Sequence, residues 1–274
     1  MSLAYLPDRG VLEVAGPDRA AFLQGLVSND VTGIAPGQAV WAALLTPQGK
    51  WLADFFVIPA GDALLLDAER AQVPGLVQRL TRFRLRSKVT LRDASEDWHV
   101  HAAWGGAPPA EGLVIPDPRL PEAGWRVLDP APLASDASAE DYDLHRLALG
   151  LPDGSKDMES EKSVLLEAGF DELNGVSWSK GCYMGQELTA RTRYRGLVKR
   201  RLVPVAVDGP LPVRGTILAG PDGAEAGEMR SGRDGLGLAL VRLNAFDRAP
   251  FRAGEAMLTP RIPAWMRLPA REEA

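Results

Sequence analysis

Lys180-Gly-Cys-Tyr-Met-Gly-Gln-Glu187 is the stretch that carries most of this chain's meaning. Gly181 and Gly185 bracket Cys182, the chain's single cysteine, and allow backbone turns closed to other residues. Residues 186–192 have helical composition, which puts Cys182 just ahead of a helix N-terminus with its unsatisfied N–H groups. Those groups, with Lys180 and Arg191, favour thiolate over thiol. A lone cysteine without such flanks is usually a small buried hydrophobe. With them, the pattern points to a reactive or ligand thiol.

Outward from the motif, the chain falls into three parts. Residues 11–14 alternate as a strand, and Asp18 suits the N-cap of a helix carrying Phe22, Leu23 and Leu26. Strand-like runs follow at 40–45, 52–58 and 63–66, then helical spacing at 74–83 and a strand from Val89. This β–α–β–β–α–β rhythm predicts a ferredoxin-like α+β half over residues 1–95. A second half is expected over 96–198, with strands near 98–104, 112–115 and 125–128 and a helix at 141–149. Residues 155–161 are polar and read as a mobile loop. After Arg201, short runs at 202–207, 216–218, 226–229, 237–241 and 256–258 are separated by Gly and Pro. These predict a small β-barrel over 199–274, with residues 232–237 as a turn between strands.

Composition sets limits. Hydrophobic residues make up 46% of the 274 and charged residues 24%, enough for a sizeable core. No run of about 18 apolar residues occurs, so no membrane partner is expected. One cysteine excludes an intrachain disulfide, and a reducing compartment, the cytoplasm, is the expectation. The N-terminus does not read as a signal peptide. With one Cys and three His (His99, His101, His145), no zinc spacing exists and no metal site is expected. His99 and His101 alternate on a strand, where packing or surface roles are the simpler reading. Net charge is −5, yet Arg70, Arg79, Arg82, Arg84, Arg86, Lys88 and Arg92 form a run without an acid. Lys180, Arg191, Arg193, Arg195, Lys199, Arg200 and Arg201 meet only Glu187. Such runs are either local anion attractors or solvated faces. No stable nucleic-acid binding is expected, since no RNA-recognition signature accompanies them.

The motif resembles the signature K-G-C-F/Y-x-G-Q-E of the YgfZ family, which includes a mitochondrial factor that helps mature 4Fe–4S proteins. The likeness continues through Leu188-Thr-Ala-Arg-Thr192 and Lys199-Arg-Arg-Leu202. Upstream it takes in Leu166-Glu-Ala-Gly-Phe-Asp-Glu-Leu-Asn-Gly175, Phe22-Leu-Gln-Gly-Leu-Val-Ser-Asn-Asp30 and Leu45-Thr-Pro-Gln-Gly-Lys50. The family shares its architecture with the glycine cleavage T-protein, a folate-dependent aminomethyltransferase. The resemblance implies a folate-binding region of two α+β halves, a C-terminal barrel and a central opening for folate. It implies a tetrahydrofolate-binding accessory protein in iron–sulfur cluster assembly or repair, with iron–sulfur client or assembly proteins as partners and Cys182 as its catalytic or ligand thiol. A link to tRNA modification also comes with the family, as does an alternative reading as a folate-dependent aminomethyltransferase or demethylase. Monomer is the default state.

A pteridine needs a carboxylate or amide for its polar edge, an apolar slot for its face, and cations for its glutamate tail. Asn29, Asp30 and Glu167 are candidates for the edge, Trp178 and Tyr183 for the slot, and Lys180, Arg191 or the Arg82–Lys88 run for the tail. Gln186 and Glu187 complete the expected folate-binding set. Asn29 and Asp30 suit a turn after the first helix equally well. Glu167 also suits a surface acid, and Trp178 and Tyr183 also suit the core. The T-protein uses a glutamate in an R-L-E-A-G segment. Here Arg146-Leu-Ala-Leu-Gly150 carries Ala148 at that place, which departs from T-protein geometry.

Overall fold

A computed structural model describes residues 1–268. The first sheet grows from strands β2 (Arg9–Ala15), β3 (Val40–Leu45), β4 (Trp51–Ala60), β5 (Ala63–Glu69) and β6 (Thr90–Asp93), in the order β3-β4-β5-β2-β6. All neighbours are antiparallel. Strand β4 is buried on both faces, which explains its unbroken apolar run. Helices α1 (Arg19–Gln24) and α2 (Val73–Arg84) cover one face through Phe22, Leu23, Leu76 and Leu80. Without β3, the order β4-β5-β2-β6 is the ferredoxin-like one predicted from the element rhythm. Asp18 does not cap α1 through its side chain. It accepts the backbone N–H of Lys88 at 2.7 Å and ties α1 to the strand after α2.

The second sheet has the same order by a different route. Strands β7 (His99–Trp104), β8 (Leu113–Pro116) and β9 (Trp125–Asp129) are joined by β1 (Ser2–Tyr5), giving β1-β7-β9-β8. Its edge strand thus comes from the start of the chain, and a loop replaces its first crossover helix. Helix α3 (Ala139–Leu149) opens on a capping box between Ser138 and Asp141 and ends at Gly150 with φ +77°. His101 is fully buried beside Tyr5 and accepts the N–H of Leu133, a packing role.

Residues 155–161, expected to be mobile, are pinned instead. Gly154–Asp157 forms one helical turn (α4), and Asp157 accepts from the buried Arg146 at 2.6 Å while Ser155 donates to Glu69. A polar sequence looked loose because its partners lie far along the chain. The segment from 158 to 185 then lies against the first sheet. Trp51 donates its backbone N–H to Ser163 O and accepts that of Glu161, and Phe170 stacks on Trp41 at 3.8 Å. Helix α5 (Gln186–Tyr194) leads into the barrel strands β10 (Arg200–Asp208), β11 (Ile217–Ala219), β12 (Glu225–Arg233), β13 (Leu236–Arg242), β14 (Phe251–Ala253) and β15 (Ala256–Pro260). They close in the order β10-β13-β12-β11-β14-β15, with the turn Asp234-Gly235 joining β12 to β13. Of the stretch expected as barrel, residues 269–274 lie outside the described residues. One apolar core, with Trp41, Phe56, Ile115, Leu128, Leu147, Phe170, Leu202 and Leu238, joins both sheets and the barrel.

Candidate functional site

The motif is held by backbone contacts to two other segments. Lys180 Nζ donates to the carbonyls of Val27 at 2.7 Å and Asn29 at 2.6 Å, just after α1. The N–H of Met184 donates to Gly25 O, and that of Ser177 to Ser28 O. Ser28 Oγ donates to Gly175 O and accepts from Ala43 N, which fastens this seam to β3. On the other side lies the turn between β3 and β4. Gly185 has φ +81°, and a Cβ there would lie 2.4 Å from Thr46 O. Gly49, with φ +82°, would place a Cβ 2.6 Å from Gly185 O. The two glycines therefore face each other because nothing larger fits. The segments around 22–30, 45–50 and 180–187, distant in sequence, meet here.

On this framework Cys182 is exposed, four residues before the first residue of α5. Tyr183, the next residue, turns into the core shared by both sheets and the barrel. It therefore does not line an open aromatic slot, and its phenol is pushed up by burial against a bond with Thr189. Lys180 Nζ lies 5.2 Å over the Tyr183 ring. Burial lowers the Lys180 ammonium to about 8, opposed by Asp30. Gln186 Oε1 accepts the N–H of Tyr183, while Glu187 and Arg191 are exposed on α5.

The other candidates are already engaged. Both amide hydrogens of Asn29 are donated, to Trp41 O and Asn174 O, and its Oδ1 accepts from Asp30 N. Asp30 accepts from the N–H and hydroxyl of Thr32, which hold its carboxyl below the usual range. Glu167 pairs with Arg200 through two bonds at 3.0 and 3.2 Å. Trp178 donates to Asp171, and Arg193 covers one face of its ring at 4.0 Å. Asn29, Pro118, Asn174, Val176 and Trp178 line an open cleft of about 610 Å³, to which Glu167 and Cys182 do not contribute.

A second feature escaped sequence reading: a buried charged layer between the two sheets. Asp67 accepts from Arg9 Nε at 2.7 Å and lies 3.2 Å from Arg126 Nε. Arg119 pairs with Asp117, and Arg119 and Arg126 both donate to the Tyr142 hydroxyl. The guanidiniums of Arg9, Arg119 and Arg126 lie 4.5–6.0 Å from the Phe56 ring. Asp54 accepts the indole N–H groups of Trp41 and Trp51, and burial raises its carboxyl to about 6. Beside this layer lies a cavity of about 390 Å³ whose walls include Arg9, Arg126, Tyr142, Asp153 and Lys156. Arg126 Nη1, in a residue only 4% exposed, has no hydrogen-bond partner. The available signal was Arg126 at an inward position of an apolar strand.

Comparison with known proteins gives the family context. Residues 8–114 match the GCVT N-terminal domain and residues 199–268 the CAF17 C-terminal beta-barrel domain. The iron–sulfur cluster assembly factor IBA57 of Mus musculus is 34% identical over 274 residues, covering 86% of this chain and 76% of its own length. Its Homo sapiens counterpart is 34% identical over 272 residues, with the same coverage of both chains. An IBA57 homologue of Mycosarcoma maydis is 43% identical over 229 residues, and the match covers 74% of this chain and 57% of that protein. The match therefore spans little more than half the length of the fungal relative. Glycine cleavage aminomethyltransferase T from Bartonella henselae has the same fold, with a TM-score of 0.74 at 14% identity, over 96% of this chain and 85% of its own. The relatives carry the IBA57 name, which narrows the YgfZ-family resemblance of the motif to an IBA57-type factor. They are also named mitochondrial, which overturns the expected cytoplasmic placement. A missing disulfide distinguishes oxidising from reducing compartments and does not choose between two reducing ones.

Proposed function

This chain belongs to the IBA57 family of iron–sulfur cluster assembly factors, and on that premise we propose that Cys182 is the residue through which it meets the cluster. The observation that carries this is the exposure of Cys182 on a loop whose flanks are fixed by Lys180, Met184 and Gly185. A thiol on a fixed surface loop is open to a cluster carried by another protein. One cysteine supplies one ligand of the several a cluster needs. Among the described residues no group of three His, Cys, Asp or Glu could hold a metal ion. The remaining ligands therefore come from a partner, and the cluster is cargo.

The test is complementation of 4Fe–4S enzyme activity in cells lacking the protein. Cys182→Ser should lose complementation while keeping the wild-type melting temperature. Full complementation by that variant would remove the thiol from the mechanism.

The finer reading adds tetrahydrofolate. The residues around the motif suit a pteridine poorly, because both amide hydrogens of Asn29 are donated, Asp30 Oδ1 accepts from Thr32, Glu167 pairs with Arg200 and Tyr183 is in the core. The 390 Å³ cavity between the sheets fits better. It offers the unpartnered Arg126 N–H and the Tyr142 ring, with Asp153 and Lys156 paired to each other at 2.7 Å in its wall, within the size range of ligand sites. Arg126 would hold the polar edge, and Lys156 would exchange Asp153 for an anionic tail. A bound folate would supply a one-carbon carrier. Calorimetric titration with tetrahydrofolate should show binding that weakens in Lys156→Met. No heat from the wild-type protein would end this part of the reading.

A further inference from the structure

Many arginines of this protein are paired, and one cluster at the end of a helix is not. Arg9, Arg70, Arg92, Arg119, Arg126, Arg146, Arg200, Arg201 and Arg230 each make an ion pair. At the end of α2, Arg82, Arg84, Arg86 and Lys88 are exposed and make no ion pair among the described residues. The run around them holds no acid from Arg70 to Arg92. Two cations in a last helical turn are explained by the helix dipole. The apolar residues between them are not. Phe83 is 39% exposed and Leu85 is 87% exposed. Leu85 also has φ +44° and ψ −110°, a conformation that an L-residue with a Cβ rarely adopts. Glycine is the residue that such a turn favours, so a leucine there needs another reason.

We propose that this tip, Arg82-Phe83-Arg84-Leu85-Arg86 with Lys88, docks the protein on an anionic lipid surface. The cations meet the headgroups, and Leu85, with the edge of Phe83, enters the boundary with the acyl chains. Each part of the patch has a use there: charge attraction draws the tip down, and a protruding apolar side chain holds it. A protein partner would need a pocket matched to Leu85. A nucleic acid would gain little from a leucine, since bases stack on aromatic rings. A lipid surface needs neither a shaped pocket nor a stacking ring. One apolar anchor with a polybasic patch gives reversible attachment, and no helix is long and apolar enough to cross a membrane. Lys88 and Met184 bond to opposite ends of α1, at Asp18 and Gly25.

The experiment is co-sedimentation of the full chain with phosphatidylcholine vesicles, with and without about 30 mol % cardiolipin. Wild-type protein should sediment with the cardiolipin vesicles only, and should be released by about 0.5 M salt, which screens the cations. The triple variant Arg82→Glu, Arg84→Glu, Arg86→Glu should stay in the supernatant. Leu85→Gly should lower partitioning about tenfold, the loss of one buried leucine side chain. Its melting temperature should be unchanged or higher, because glycine relieves the turn. Arg252→Glu, on an exposed barrel position, should bind like the wild type. Equal sedimentation of the wild type and the triple variant overturns the proposal. So does wild-type protein that ignores both vesicle types, whether or not it binds a single-stranded RNA through the same arginines.

Discussion

Two regions of this molecule hold polar groups in fixed positions by opposite means. The layer between the sheets uses charge: Arg9, Asp67, Arg119, Asp117, Arg126 and Tyr142 are buried and bonded to one another. The motif loop uses backbone: Lys180 and the amide of Met184 bind carbonyls, and Gly185 meets Gly49 where no side chain fits. The charged layer has little tolerance for a missing partner, since an unpaired buried ion is costly. The motif loop leaves Cys182 exposed. Buried polarity here marks architecture, and the chemistry proposed for Cys182 sits where bonds to backbone groups keep the shape.

The contrast can be broken at several points, the largest first. Asp67→Ala removes the acceptor shared by Arg9 and Arg126 and should cost about 3–5 kcal/mol in urea unfolding. A loss below about 1 kcal/mol would mean that the layer is not held by its charges. Gly185→Ala drives a Cβ into Thr46 O at positive φ and should cost about 2–4 kcal/mol. Gly181→Ala, four residues away with open space around it, should stay within about 0.5 kcal/mol. Similar losses from both would refute the idea that only one glycine is structural. Lys180→Met strands the carbonyls of Val27 and Asn29 and should cost about 1–3 kcal/mol. Hydrogen exchange would locate the loosening at the amides of 25–31 and 177–184.

Asp54 gives a test in pH. Its carboxyl ordinarily titrates near 3.8 and here titrates at about 6, through burial. Between those values the folded state holds the extra proton, so this group's contribution to stability falls as pH rises from 4 to 6. Asp54→Asn should flatten that fall in a melting series. A wild-type curve without it would show that the two indole donors keep Asp54 ionised. The smallest effect is expected at the surface. Glu167→Gln weakens a pair with the half-exposed Arg200 and should cost less than about 1 kcal/mol.

Sequence periodicity anticipated the strands of the first sheet and all barrel strands but Phe251–Ala253, because apolar alternation and Gly/Pro punctuation are local signals. The second sheet was less legible. Its edge strand Ser2–Tyr5 pairs with His99–Trp104 about a hundred residues away, and only its neighbours reveal it. Candidate residues divided in the same way. Cys182 and the flanking glycines could be named from their spacing. The commitments of Asn29 to Trp41 and Asn174, and of Glu167 to Arg200, could not, since each partner comes from another segment.

By itself, then, the sequence determined the motif, the strands of the first sheet and the exclusion of an intrachain disulfide, all of which depend on residue identity and short-range order. Only the tertiary structure decided which arginines are buried partners and which stand free, and that three separated segments converge around Cys182. The reason is physical: a charged or amide side chain takes its role from what lies within about 3 Å of it, and chain folding sets that distance across the sequence.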